Sequence, residues 1–122
     1  MSIQDQADAL TNAENFLHQV LETKQVFALK HEQGGWASCE SKDYEDTAIF
    51  LFWSTSEQAE THCVEDWKDY QPVEITLDDF INVWLQGLDK EDHMIGMNWE
   101  KGLFGLEVEP LDIAKKLESG DL

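Results

Sequence analysis

The sequence predicts an α+β fold: a single compact domain over residues 1–122, with a mostly antiparallel sheet of five to six strands and three to four packed helices. Three observations carry this prediction. The run Ala48-Ile-Phe-Leu-Phe-Trp53 is too short for a stable helix and too apolar for a strand with one wet face, so it suits a central strand covered on both sides. Two other stretches repeat apolar residues at helical spacing, and several short β-prone runs are set off by glycine. No linker rich in proline, glycine or serine divides the chain, and half of it would be too small to hold a core of its own.

The first helix is marked by Ala13, Phe16, Leu17, Val20 and Leu21, which share one face. Thr11 and Glu14 offer a capping box at its start, while Ile3, Ala7 and Leu10 could extend the same face upstream. Gln25–Lys30 and Trp36–Cys39 then read as strands joined through Gly34 and Gly35, which supply the positive φ angles of a hairpin turn. An acidic link, Glu40–Asp46, leads to the Ala48–Trp53 strand and completes a three-stranded meander. Pleating sends Ile49, Leu51 and Trp53 to one side and Ala48, Phe50 and Phe52 to the other. Ser54 with Glu57 forms a second capping box, opening a helix of residues 55–67 whose apolar side is Ala59, Cys63 and Trp67.

After Pro72, Val73–Ile75 reads as a short edge strand. Leu77, Phe80, Ile81, Trp84, Leu85 and Leu88 then give the cleanest helical pattern in the chain, with Thr76 as its cap, Asp78 and Asp79 favourably placed in its first turn and Gly87 near its end. Met94–Trp99 and Phe104–Val108 flank a glycine-containing turn and predict a further hairpin. Pro110 opens a last helix through Leu117, which Gly120 terminates.

Set side by side, these segments resemble a small bacterial family catalogued as domain of unknown function 2750. The likeness is carried by Phe52-Trp53-Ser54, Pro72-Val-Glu-Ile-Thr-Leu77 with Phe80 and Trp84-Leu85-Gln86-Gly87, Ile95-Gly-Met-Asn-Trp99 and Val108-Glu-Pro110. It runs from about Val26 to Leu117. The resemblance implies a stand-alone bacterial domain and brings no activity or catalytic residue with it.

Charge is the most unusual property of the composition. Twenty-six acidic residues stand against eight basic ones, all lysine, for a net charge of −18. That balance repels polyanions, and without arginine no planar fork is available for phosphate, so nucleic acid is not an expected ligand. The acids are spread along both halves of the chain, as in a surface kept soluble by self-repulsion. No apolar run approaches membrane-spanning length, and Met-Ser-Ile-Gln-Asp-Gln lacks the features of a secretory signal; the expectation is a cytoplasmic protein. Cys39 and Cys63 are isolated and read as small buried hydrophobes.

No constellation for catalysis, cofactor or metal emerges. His62 with Glu65 would share a helix face but lacks a third ligand, so a surface pair is expected. Asp89, Glu91, Asp92 and His93 lack the alternation of a calcium loop. Ser54–Ser56 is explained by capping. The five tryptophans are the most suggestive residues, since aromatics at element ends either fill cores or form contact hot spots. Trp36, Trp53, Asn98 and Trp99 are therefore the candidate recognition surface. The leading expectation is a non-enzymatic interaction module, immunity-like or inhibitor-like toward a basic protein partner. The alternative is a small-molecule sensor or enzyme with a tryptophan-rimmed cleft, and homo-oligomerisation is a third reading.

Overall fold

The computed structural model describes residues 3–41, 45–63, 67–99 and 107–120. In chain order its elements are α1 (Ile3–Thr23), β1 (Gln25–His31), β2 (Ser38–Glu40), β3 (Ala48–Phe52), α2 (Ser56–Glu60), β4 (Tyr70–Thr76), α3 over residues 77–90, β5 (Met94–Met97) and α4 (Pro110–Ser119). The architecture is α+β, with two sheets of two and three strands.

β1 and β4 pair antiparallel, with Val26 opposite Ile75 and His31 opposite Tyr70. In the second sheet β3 is central: β2 runs antiparallel to it, with Ser38 opposite Phe50, and β5 runs parallel, with Leu51 opposite Gly96. The expected three-stranded meander of β1, β2 and β3 does not form as one sheet, because β1 pairs with β4, and the parallel β3–β5 pair departs from the expected antiparallel arrangement. The chain between β3 and β5 passes through α2, β4 and α3, and a crossover of that kind returns a strand in the same direction. The two sheets are stitched where β3 ends. Phe27 and Trp53 exchange backbone hydrogen bonds of 2.9 and 2.8 Å, while Ala37 donates to Leu29 and accepts from Leu51.

The described strands number five, the lower end of the expectation. Of the sixth expected strand, only Glu107 and Val108 belong to the described residues, and Val108 exchanges two hydrogen bonds with Ile95. The turn proposed between these strands lies outside the described residues. β4 is longer than expected and takes in Pro72. Glu32 donates to Asp69 at one end of the β1–β4 ladder and Leu77 to Lys24 at the other, which places Pro72 at a position where a backbone nitrogen points away from β1. Proline is tolerated there because no ladder hydrogen bond is lost.

β3 separates two apolar clusters. Phe52 belongs to one, which α1, α3 and α4 line with Phe16, Val20, Phe80, Leu85, Ile113 and Leu117, and Phe50 packs against its edge. Ile49, Leu51 and Trp53 belong to the other, with Leu29, Ala37, Ala59 and Trp99. The pleat therefore distributes side chains as the sequence predicts, and burial on both faces explains the unbroken apolar run.

The helix ends differ from expectation more than the helices do. α1 begins at Ile3, so Thr11 lies within it and caps nothing. α2 is capped by Thr55, whose hydroxyl accepts from the Gln58 amide at 3.1 Å, and it ends at Glu60 rather than near residue 67. Thr76 caps α3 as predicted, accepting from Asp79 at 3.2 Å, but the helix continues past Gly87 to Lys90. Within α3 a π-helical segment, Phe80–Trp84, has Leu85 donating back to Phe80. Phe80 and Trp84, four residues apart on one face of the helix, both meet Phe52 edge-on at 4.9 and 5.7 Å. α4 opens on Pro110 and closes on Gly120, whose φ of 67° is the left-handed conformation of a helix C-terminus.

Candidate functional site

The expected tryptophan surface does not form. Trp53, Asn98 and Trp99 are neighbours, with the Trp53 indole Nε1 donating to the Trp99 carbonyl at 3.1 Å, but they retain only 1%, 4% and 6% of their exposure. Asn98 adopts a φ of 53° and joins the ends of β3 and β5. Its amide donates to the Phe52 carbonyl, its Oδ1 accepts from the Ser54 amide at 2.9 Å, and its Nδ2 donates to the Ser54 hydroxyl at 3.0 Å. The Ser54 hydroxyl is also bonded to Gln19 of α1. A buried side chain satisfied on so many sides is a structural joint, because inside a core an unmet polar group is costly. Trp36 lies elsewhere, packed edge-on against Trp84 at 4.6 Å with Lys30 over its ring at 5.4 Å. These four residues therefore rim no common cleft.

What the tertiary structure assembles instead is an acidic face around His93. The imidazole is held from three sides. Its Nδ1 accepts from the Ala48 amide at 3.2 Å, its ring lies 5.3 Å from Phe50, and its Nε2 is 3.7 Å from a Glu91 carboxylate oxygen. Two adjoining clefts share His93 and Thr47 as a common wall. One, of about 270 Å³, is bounded by Asp89, Asp92 and Glu109; the other, of about 500 Å³, is bounded by Glu40, Glu45 and Asp46. These carboxylates come from the β2–β3 link, the end of α3 and the approach to α4, three segments far apart in sequence. All six are exposed. Asp46 and Asp92 occupy left-handed backbone positions, with φ of 58° and 59°, where a side chain with a Cβ is disfavoured. Among the described residues lining the clefts, His93 alone can carry positive charge.

Sequence reasoning placed Asp89, Glu91, Asp92 and His93 in one polar loop but could not bring Glu40, Glu45, Asp46 and Glu109 to them. Runs of acids in loops signal exposure, and nothing in their local pattern says which loops meet.

A third cleft, of about 390 Å³, lies between α1 and α4, with Leu10, Leu17, Met97, Val108 and Ile113 as apolar walls and His18 and Lys116 among its polar lining. Leu10 is 52% exposed, so the face expected to continue upstream of Ala13 does not bury it. His62, expected on the surface, is buried at 8% exposure against Trp53. Glu65, its expected companion, lies outside the described residues. Cys39 and Cys63 are half-buried rather than enclosed, and burial, reinforced by the Glu60 carboxylate, pushes the Cys63 thiol above its ordinary value. Among the described residues no three histidine, cysteine or acidic side chains gather as metal ligands. No helix of the described residues is long and apolar enough to cross a membrane.

Fold and surface together define an acid-coated α+β domain whose buried polar groups chiefly serve its architecture. Residues 13–117 match the family model described as "Protein of unknown function (DUF2750)", and the chain belongs to that family. No curated protein and no solved structure matches it.

Proposed function

We propose that this protein is a non-enzymatic cytoplasmic interaction module that docks a basic segment of a protein partner on the acidic face around His93. One observation carries the reading: carboxylates from three separated chain segments bound two adjoining clefts that share Thr47 and His93. Repulsion among like charges makes such convergence unfavourable in the free protein, and a lysine- or arginine-bearing partner relieves it. The surrounding field of a chain with net charge −18 would steer that partner and speed its association at low ionic strength. An immunity-like or inhibitor-like role, in which the module covers a basic working surface, is the specific form we favour.

The test compares the wild-type chain with the triple variant Asp89→Asn, Asp92→Asn, Glu109→Gln and with a control triple at Glu14, Glu22 and Glu57. Capture from native lysate at low and high salt would supply the partner, and its association rate would then be measured against all three proteins. The reading expects a basic partner released by salt, with a rate that falls about tenfold in the first triple and little in the control. Equal rates for the two triples, or no specific partner in either salt, would refute it.

A further inference from the structure

We propose a second binding site, at the opposite end of β3 from His93: the Nε2 of His62, enclosed by aromatic rings, is the receptor for a cation that carries N–H donors, an ammonium or guanidinium group. The ring's tautomer follows from its partners. Nδ1 lies 3.0 Å from the Gln58 carbonyl oxygen and 3.3 Å from the Thr61 hydroxyl, whose own proton is directed to that same carbonyl at 2.7 Å and so is not offered to the ring. A carbonyl oxygen can only accept, so in the neutral imidazole Nδ1 carries the proton and Nε2 presents a bare lone pair. That nitrogen is buried and makes no hydrogen bond. Unmatched buried acceptors are rare in folded proteins and call for an explanation.

The surroundings say what would match it. The imidazole lies 4.7 Å from the Trp53 ring and 6.4 Å from Trp67, and Trp67 is in turn 6.5 Å from Trp53 and 6.1 Å from Tyr70. A water molecule would need two or more polar partners, and the surfaces these rings present are chiefly apolar. A cation needs no second hydrogen bond, because the faces of tryptophan and tyrosine attract it directly. It must still bring an N–H to satisfy the imidazole. These two requirements select primary ammonium and guanidinium groups over quaternary ammonium, which lacks a donor, and over neutral amides, which lack the charge. Nε2 has no exposed surface, so a ligand reaches it only as the groups around it move. The same head group occurs on free amines and on lysine or arginine side chains.

The experiment titrates the whole chain, nitrogen-15 labelled and in mildly alkaline buffer at constant ionic strength, with methylammonium, methylguanidinium and tetramethylammonium chlorides. Imidazole nitrogen shifts report on His62 and indole N–H shifts on Trp53 and Trp67. The first two salts are expected to saturate and to move the Nε2 resonance in the direction of an accepted hydrogen bond, with tetramethylammonium about tenfold weaker. His62→Phe, which keeps a ring against Trp53, should retain the far-ultraviolet circular dichroism of the wild type and lose the preference. A fourth arm with a blocked Gly-Arg-Gly peptide separates the sources: tighter binding than methylguanidinium supports a partner's side chain, and equal binding supports a free amine. Indistinguishable saturation by all three salts, or no saturable Nε2 shift in the wild type, would overturn the proposal and leave the His93 face untouched.

Discussion

Two residues show how finely the interior is fitted. Gly96 has no positive φ to accommodate; it is glycine because of what lies beside it. A Cβ at that position would stand 2.5 Å from the Trp99 indole and 2.8 Å from a Leu51 methyl. Neither neighbour can yield easily, since Trp99 and Leu51 are buried and Trp99 is tied through its carbonyl to Trp53. Gly96→Ala should therefore destabilise the protein by about 1–3 kcal/mol through overpacking, read from the urea midpoint; an unchanged midpoint would mean that the β3–β5 contact is looser than described. Asn98 is the other. Its side chain supplies both acceptor and donor to Ser54, a pairing that a sequence scan registers only as two ordinary polar residues at the ends of apolar runs.

At the scale of elements, helix caps are where local chemistry and global packing part company. Thr76 caps α3 and Gly120 ends α4 as their sequences dictate, because both signals act within one turn. Thr76→Ala should lower stability by about 1 kcal/mol in denaturant titration, and a loss below about 0.3 kcal/mol would argue that water replaces the hydroxyl. Elsewhere the same kind of signal misleads. Thr11 is overruled by an α1 that begins eight residues earlier, and Ser54 is drawn from its expected capping role into the joint with Asn98, leaving Thr55 to cap α2. Gly87 is absorbed within α3 because Leu88, one residue on, is buried and keeps the helix wound. The π segment had no signature in spacing: Leu77, Phe80, Ile81, Trp84, Leu85 and Leu88 fit an ideal helix.

Across the whole molecule, charge and topology set the behaviour. A net charge of −18 opposes compaction, and the clefts around His93 concentrate part of that repulsion. Screening should relieve it: at about 0.5 M sodium chloride, where the Debye length falls below about 5 Å, the urea midpoint should exceed that at about 0.01 M. A midpoint that is flat or falls with salt would show that the acids are already compensated in the free protein. Topology places the two candidate sites at opposite ends of β3, His93 beside its start and His62 against Trp53 just beyond its end.

The sequence by itself determined the α+β class, the central strand with its two covered faces, the apolar stripes of two helices, the Thr76 and Gly120 caps and the acidic character of the surface. Each of these follows from forces that act between near neighbours or from composition alone. Only the tertiary structure decided that β5 lies parallel to β3, that Trp53, Asn98 and Trp99 are enclosed, that three acidic segments meet around His93 and that one nitrogen of the His62 imidazole is buried without a hydrogen-bond partner. Those outcomes depend on which distant segments come together, and periodicity, which records only whether a residue faces inward, carries no information about what it will meet there.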